Sequence, residues 1–434
     1  MKVLLLNQCF WPDVVATAQQ LTDLAASLAE RGHDVTVVCG DRGYDNPELR
    51  FPRRERWNGV DIIRVSSIRA NKNSRWRRAL NFASFSIACA FRLGVLPRQD
   101  AVVALTSPPL ISWLASLFTR LKGGRMLFWV MDLNPDEAIA AGWLKPKSLT
   151  AKLLGGLLGS SMRRAEKIVV LDRFAQQRIV AKGIPEERID VIAPWAHDDS
   201  VRFDEEGREA FRRAHNLAGK FVVMYAGNHS PCHPLDTVVA AARELRAHDD
   251  VVFCFAGGGS EQSKVREFAQ SNHLENVLCL PYRPIEELSA LLSAADLHVV
   301  VMGEKFVGLV HPSKIYNILA IGSPFLYIGP AESHLGDIIA GLSDRDLTAR
   351  VNHGEMDLVA RLIANRAKVF RSRRTGDPLA TPTSRGSVTL TPLAHEFSKA
   401  VLMPRLVAHV EALCGRETET KTEPSATKLQ SAVR

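Results

Sequence analysis

The chain has 434 residues, of which 46% are hydrophobic and 24% charged, and its formal net charge is +8. Such a composition can build a large core, which excludes a disordered protein, and the length favours two domains. No uninterrupted run of about 18 apolar residues occurs, so no membrane-spanning helix is predicted. The seven cysteines form no CxxC pair, which argues against a zinc site or a disulfide framework and favours a cytoplasmic location.

The first forty residues predict a strand, a helix and a second strand. The uninterrupted apolar run at residues 3–6 is typical of a parallel strand that is buried on both faces. Leu21, Leu24 and Leu28 then recur at helical spacing, and Gly32 stands where a helix ends. This βαβ unit predicts that the chain opens with a doubly wound domain.

Further apolar runs predict two successive series of strands with helices between them. The first series continues at residues 61–67, 100–107, 125–133, 167–172 and 190–195, and the second occupies 221–230, 251–259, 276–284, 297–302 and 323–329. The polar stretch 197–220 between them is predicted to be a linker. The predicted boundaries are 1–200 for the first domain, 201–370 for the second, 371–392 for a flexible connection, 393–414 for a C-terminal helix and 415–434 for a disordered tail.

The first βα turn, NQCFWPDVVATA, contains no glycine, which argues against a dinucleotide site there. In the second series Gly227 follows a strand, and the run from Gly257 to Gly259 follows the next one. Either turn can bring backbone close to a nucleotide or can be a plain tight turn. In HPSKIYN, Pro312 and Ser313 suit a helix start, where free N–H groups favour phosphate, and Lys314 adds a positive charge unless it is simply solvated.

These segments, together with GHDVTVVCG, YAGNHSPCHPLDTVVAAARELR and GLVHPSKIYNILAIGSPFLYIGP, resemble the GT-B-fold glycosyltransferases of family 4, of the cell-envelope type similar to colanic acid or O-antigen transferases. The resemblance covers residues 1–340. It implies an α/β protein whose two Rossmann-like domains, each with a doubly wound parallel sheet, face a cleft, and whose C-terminal helix crosses back to the first domain. It also implies transfer of a sugar from a nucleotide-diphosphate donor to a polysaccharide or lipid-linked acceptor, with retention at the anomeric carbon. No metal or other cofactor is implied.

Two other functions stay open at this point. One is a sugar-nucleotide epimerase of the same fold, and the other is a non-catalytic nucleotide-sugar-binding protein. The family usually carries two glutamates at the positions of Leu309 and Asn317, and a basic residue in the turn after Gly227, and this chain lacks all three.

The resemblance assigns the donor to one set of residues on the second domain: Gly227, Asn228, His229, Gly258, Arg283, Gly308, Val310, Ser313, Lys314 and Asn317. Lys314 is predicted to be catalytic, because it would stabilise the leaving diphosphate. Arg283 could instead be an exposed loop arginine.

Asp132 is the second predicted catalytic residue, since it ends a strand at the edge where parallel sheets bind ligands. There it could accept a proton or orient the acceptor hydroxyl. His197 is predicted to be structural. The triplet 344–346, Asp-Arg-Asp, resembles a metal-binding motif but is predicted to be a solvated turn, so no metal is expected.

Positive charge is concentrated in one stretch. Between Arg50 and Arg98 the chain has 12 Lys or Arg residues but only Glu55 and Asp61 as acids, so this stretch alone carries +10. Aromatic residues interleave with it and an apolar helix follows, which favours an anionic membrane surface at the inner face of the plasma membrane over nucleic acid. A solvated basic surface is the alternative. The predicted acceptor or membrane side comprises Trp11, Arg75, Trp76, Arg77 and Arg78.

Overall fold

A computed structural model describes residues 1–13, 15–43, 48–68, 75–342, 348–374 and 391–415. These residues form two α/β domains, and each domain is built on its own sheet. The predicted flexible connection and tail lie mainly outside the described residues, as do residues 69–74 of the basic stretch and the triplet 344–346. The side chains of residues 75–79 lie outside them as well.

The first sheet has eight strands in the order β3-β4-β2-β1-β5-β6-β7-β8. Seven run parallel, and edge strand β3 is antiparallel to β4. The strands are β1 (Lys2–Leu6), β2 (Asp34–Gly40), β3 (Arg54–Trp57), β4 (Val60–Val65), β5 (Ala101–Ala104), β6 (Arg125–Val130), β7 (Lys167–Val170) and β8 (Ile189–Val191). Strand β3 was not predicted, because its sequence RERW has no apolar run.

Helices cover both faces of this sheet. They are α1 (Ala16–Glu30), α2 (Arg75–Val95), α3 (Ile111–Lys122), α4 (Asp136–Ala140), α5 (Leu149–Arg164) and α6 (Arg173–Val180), with a 3-10 helix at Glu186–Arg188. Because side chains alternate along a strand, Leu5 of β1 packs in the core on the α1 side. Leu4 and Leu6 pack in the core on the opposite side, with α2, α3 and α5.

The second sheet has six parallel strands in the order β11-β10-β9-β12-β13-β14. They are β9 (Phe221–Asn228), β10 (Val251–Gly258), β11 (Val277–Leu280), β12 (Leu297–Val301), β13 (Phe325–Ile328) and β14 (Thr348–Val351). Its helices are α7 (Glu205–Ala214), α8 (Asp236–Glu244), α9 (Ser260–Ser271), α10 (Leu288–Ser293), α11 (Lys314–Ala320), α12 (His334–Gly341) and α13 (Met356–Arg374), with 3-10 helices at Ile285–Glu287 and Glu304–Phe306.

The predicted linker at residues 197–220 is instead structured, so that prediction was wrong. Its helix α7 packs against α10. Arg208 and Arg212 of α7 are buried and both reach the carboxylate of Asp296, at N···O distances of 2.6 and 3.0 Å. A polar composition therefore concealed a helix held by buried ion pairs, because the arginines bind this carboxylate and backbone carbonyls of the second domain.

The chain returns to the first domain after the second sheet. Two helices, α14 (Thr391–Glu396) and α15 (Lys399–Ala412), take the place of the predicted single helix 393–414. Leu402, Leu406 and Val410 of α15 are buried in the same core as α1. Glu411 accepts two hydrogen bonds from Arg31, each 2.9 Å long. The predicted crossing of the C-terminal helix back to the first domain is thus confirmed.

No helix among the described residues combines the length and the hydropathy needed to cross a bilayer.

Candidate active site

The carboxyl edges of the two sheets meet in a cleft. The backbone N–H of Leu133, just after β6, donates to the carbonyl of Leu309 across the cleft at 2.9 Å. Arg178 of α6 donates to the carbonyl of Val307 at 2.6 Å. Ligands of parallel sheets bind at this edge, because strand ends leave loops and unpaired backbone groups there.

The carboxyl end of β9 brings Gly227 and Asn228 to the cleft, and His229 follows it directly. Gly227 has a φ of +126°, and Gly257 on β10 has a φ of +134°. A Cβ at Gly257 would lie 2.0 Å from the carbonyl oxygen of Gly227, so the two strand ends approach more closely than a side chain at Gly257 would permit. The second domain thus has bare backbone at the carboxyl ends of β9 and β10, which are neighbours in its sheet.

Lys314 reaches this backbone from α11. Its Nζ lies 3.5 Å from the ring centroid of Tyr225 and would lie 3.4 Å from a Cβ at Gly227. The ammonium is buried and has no hydrogen-bond partner among the described residues. Burial lowers the pKa of Lys314 well below its usual range, because charge is costly away from water. Helix α11 has seven residues and Ser313 makes no side-chain cap, so the lysine, and not a helix end, supplies the charge.

Two neutral histidines stand beside the lysine. His229 is fully buried, and its Nδ1 donates to the carbonyl of Gly227 at 2.9 Å. Its Nε2 therefore presents a lone pair, and it has no partner among the described residues. His233 donates in the same way to Val301 at 2.7 Å. Burial and the charge of Lys314 lower the pKa of His229 to about 4 and that of His233 to about 3.

Carboxylates occupy the facing edge of the first domain. Asp132 follows β6 and is half-buried, and burial followed by the charge of Glu137 raises its pKa to about 8. Glu137 of α4 accepts a hydrogen bond from Asn134 at 2.8 Å and lies 3.8 Å from the thiol of Cys232 on the other edge. Burial and then Glu137 raise the pKa of that thiol to about 12. Asp132 and Glu137 therefore both lie near Cys232, in the loop that follows β9.

The other predicted donor residues are divided between the cleft and the domain frame. Gly258 lies under the ring of Tyr282, because a Cβ there would be 2.8 Å from it. The guanidinium of Arg283 contacts His215 at 3.3 Å and Glu287 at 3.5 Å, so it is held inside the second domain.

Gly308, Val310 and Asn317 connect the two domains. Gly308 has a φ of +70° and touches the backbone of Phe174, whereas Val310 packs into the cores of both domains. The Oδ1 of Asn317 accepts from the backbone N–H of His197 at 3.1 Å. Leu309 is buried in the core of the first domain. The two positions at which the family usually has glutamates thus serve to join the domains.

A buried cluster that sequence reasoning missed spans the same cleft. Asp172, after β7, accepts a hydrogen bond from Nδ1 of His311 at 2.8 Å, and Nδ1 of His334 lies 3.7 Å from the same carboxylate oxygen. Burial opposes ionisation of Asp172, but the hydrogen bond and the two imidazoles outweigh it, and the pKa is about 2. No motif could have revealed this cluster, because 139 residues separate Asp172 from His311.

By composition these three side chains could hold a metal ion. The rings of His311 and His334 stack, however, with centroids 3.8 Å apart and an interplanar angle of 23°. A metal ion lies close to the plane of each imidazole that binds it, and two stacked, nearly parallel ring planes cannot both contain one ion. The nearby hydroxyl of Tyr316 bonds Nε2 of His311 at 2.6 Å. The arrangement therefore fits a hydrogen-bonded junction between the domains.

The predicted acceptor side is only partly described. Trp11 stacks on Trp57 with ring centroids 5.2 Å apart, while the side chains of Arg75, Trp76, Arg77 and Arg78 lie outside the described residues. Arg64 of the basic stretch is buried and donates to Glu55 at 2.6 Å and to the carbonyl of Trp11 at 2.9 Å. This arginine is structural and does not contribute to a solvated or membrane-facing surface.

Comparisons with known protein families identify the family of this chain. A profile described as a glycosyl transferase 4-like domain matches residues 16–195, and one described as glycosyl transferases group 1 matches residues 207–322. The chain belongs to glycosyltransferase family 4. It is a nucleotide-sugar glycosyltransferase of GT-B fold, and the predicted family, fold and enzyme class are confirmed.

Curated relatives of this glycosyltransferase are distant. It is 24% identical over 353 residues to WcaI of Escherichia coli (strain K12), a candidate colanic acid biosynthesis glycosyl transferase, with 78% of this chain and 86% of WcaI covered. It is 25% identical over 272 residues to WbjE of Pseudomonas aeruginosa, a candidate glycosyltransferase, with 62% of this chain and 68% of WbjE covered.

Solved structures agree on the fold. Anabaena HepE in complex with UDP and glucose has a TM-score of 0.68 at 14% identity, with 95% of this chain and 99% of that chain covered. WaaG, a glycosyltransferase involved in lipopolysaccharide biosynthesis, has a TM-score of 0.64 at 15% identity, with coverages of 94% and 99%. At such identities the likeness extends to the fold alone.

Proposed function

We propose that the protein transfers a sugar from a uridine-diphosphate sugar to a hydroxyl of a polysaccharide or lipid-linked acceptor, with retention at the anomeric carbon. The buried, unpartnered ammonium of Lys314 beside the bare backbone of Gly227 carries this proposal. The choice of uridine is supported by HepE, which shares the fold and has been solved with UDP-glucose.

Lys314 takes the place of the basic residue that the family usually has in the turn after β9. Its Nζ arrives at that turn from α11, so the charge is supplied from a different element at the same edge of the sheet. A diphosphate there would give the ammonium a partner in a site of low polarity, where such an interaction is strong. The lone pair of His229 Nε2 could accept a hydrogen bond from a hydroxyl of the donor.

The carboxylates of the first domain would replace the missing glutamates. The side chain of Leu309 is apolar and cannot bind a sugar as a glutamate would. The backbone N–H of Leu133 donates to the carbonyl of Leu309, however, and this hydrogen bond places the loop that contains Asp132 beside position 309. A pKa of about 8 keeps Asp132 mostly protonated at neutral pH, so we assign it to orienting the acceptor hydroxyl. The acceptor oxygen bonds to the anomeric carbon as the bond from that carbon to the diphosphate breaks, and the hydroxyl proton passes to a diphosphate oxygen.

We place the reaction at the inner face of the plasma membrane, with the protein bound peripherally on anionic lipid. This rests on the +10 charge of residues 50–98 and on the lipid-linked acceptor that the function implies. No metal is assigned to the reaction.

Calorimetric titration with UDP tests the donor site directly. Because a diphosphate would favour the charged form of Lys314, binding at pH 8 is expected to take up protons, and the measured heat should vary with the ionisation enthalpy of the buffer. The Lys314→Met variant should lose this proton uptake, and Lys305→Met, which removes an exposed lysine, should keep it. Proton uptake that survives in Lys314→Met would remove the lysine from the donor site.

Turnover separates the proposed transferase from its rivals. The protein is incubated with a panel of UDP-sugars, with and without a membrane lipid extract, and products are read by mass spectrometry. Transfer that requires the extract supports the proposal. An isomerised nucleotide sugar formed without extract would indicate an epimerase, and binding without any turnover would indicate a non-catalytic protein.

A further inference from the structure

The outer surface of helices α2, α3 and α5 differs from the rest of the described molecule. Among the described residues, the large hydrophobic side chains that are more than half exposed all belong to the first domain, and six belong to these helices. They are Ile87, Phe91 and Val95 on α2, Leu121 on α3, and Leu149 and Leu153 on α5. Exposed apolar side chains gathered on one side of a protein indicate an interaction surface.

These three helices lie on the same side of the sheet. Phe85, Phe118 and Leu158, one from each helix, share the core on that side. Helix α3 contacts both α2 and α5. Lys122 at the end of α3 donates to the carbonyls of Gly94 and Leu96. That contact brings Leu121 to the end of α2 that displays Phe91 and Val95.

Helix α2 is apolar on two sides. Phe85, Cys89 and Leu93 face the core, whereas Ile87, Phe91 and Val95 recur every four residues on the outside. A helix covered by water on its outer side would have polar residues there. The second stripe therefore requires an occupant.

Charge identifies the occupant. The sequences of α2, α3 and α5 contain nine Arg or Lys residues and no Asp or Glu. By contrast, α7, α8, α9 and α13 of the second domain all contain acidic residues. A second copy of the same face would bring like charges together, and a nucleic acid offers phosphate but no place for six protruding apolar side chains. An anionic lipid bilayer satisfies both features, because apolar side chains enter its interface while cations meet its headgroups.

We propose that the face of α2, α3 and α5 docks on an anionic bilayer. The proposal makes the membrane partner of the proposed function specific, because it moves the contact from the whole basic stretch to three helices, two of them outside it. It does not depend on sugar transfer, since binding is measured without nucleotide.

Co-sedimentation with vesicles of phosphatidylcholine, with or without about 30% phosphatidylglycerol, tests this face. Binding is expected to be at least about tenfold stronger with the anionic lipid. It is also expected to weaken in about 0.5 M salt, because salt screens the charges. Phe91→Ser combined with Val95→Ser should reduce binding roughly tenfold. Arg120→Glu on α3 combined with Lys152→Glu on α5 should reduce it by about fivefold or more for each cation.

Matched controls lie on the second domain. Val369→Ser removes an exposed apolar side chain of α13, and Arg213→Glu reverses an exposed charge of α7. Both should bind as the unchanged protein does, and thermal melting should show all variants folded. Equal binding to both vesicle types, or variants at Phe91 and Val95 that bind normally, would overturn the proposal. A dimer dissolved by those two serines, or RNA that competes fully with vesicles, would overturn it as well.

Transfer assays keep this proposal distinct from the proposed function. A protein that binds vesicles but transfers no sugar supports the docking face and contradicts the enzyme mechanism. A protein that transfers sugar to a water-soluble acceptor without binding vesicles does the reverse.

Discussion

The two edges of the cleft are built from opposite chemistry. On the first domain the side chains described at the edge include the acids Asp132, Glu137 and Asp172, whereas on the second they include Lys314 and four histidines, at positions 229, 233, 311 and 334. The pKa values of three of those histidines are lowered, so they are neutral near pH 7. Lys314 is the group at this edge whose charged form a diphosphate would favour. The contrast supports the proposal that phosphate binds at the second edge and sugar hydroxyls bind at the first.

The largest expected effect comes from removing the charge of the second edge. Lys314→Met should lower kcat for sugar transfer by roughly 10³-fold, because one preorganised group that stabilises a leaving oxyanion is worth about that much. Steady-state kinetics with UDP-glucose as first donor measures it. Lys305→Met is the control. If Lys314→Met keeps activity within about threefold of normal, Lys314 does not stabilise the leaving diphosphate.

Asp132 tests the opposite edge. Asp132→Ala should lower kcat/KM about 10²-fold, whereas Asp132→Asn, which still hydrogen-bonds, should stay within roughly tenfold of normal. The pH–rate profile of the unchanged protein should alter near pH 8, where the carboxyl ionises, and that of the asparagine variant should not. If both variants lose activity equally, Asp132 removes the proton itself.

Glu137 should have a smaller effect that is confined to the sugar. Glu137→Gln is expected to raise the KM for the nucleotide sugar about tenfold, with the inhibition constant of UDP unchanged, because UDP lacks the sugar that the carboxylate would contact. Glu186→Gln, an exposed acid of the first domain, serves as control. An equal change in the constant for UDP would move Glu137 to the nucleotide.

The smallest expected effect is that of Lys314→Met on stability. The substitution should lower activity but increase the stability of the fold. Lys314→Met should raise the Tm, because the ammonium is buried without a partner. The folded-state pKa lies below 10.5, so the unfolded chain binds more protons and the stability of the unchanged protein rises with pH towards 10.5. The gain from Lys314→Met should therefore be largest near pH 7 and shrink by pH 10. Melting curves measure it, and a lower Tm at pH 7 would contradict it.

Much of the frame could be predicted from the sequence, because long apolar runs mark parallel strands and glycines mark the turns after β9 and β10. Edge strands β3 and β14 escaped prediction, since RERW and TARV have no apolar run. The family resemblance identified Lys314, but only the fold shows it buried against Tyr225. The contact between Asp172 and His311 depends on how two domains meet, which no local pattern encodes.

Helix α15 has a consequence for how the protein is made. Leu402, Leu406 and Val410 fill the core beside α1, yet about two hundred residues of the second domain are synthesised between that core and the helix that closes it. The first domain, although translated first, is therefore completed last. A ribosome-bound chain must therefore leave part of that core uncovered until α15 has been synthesised.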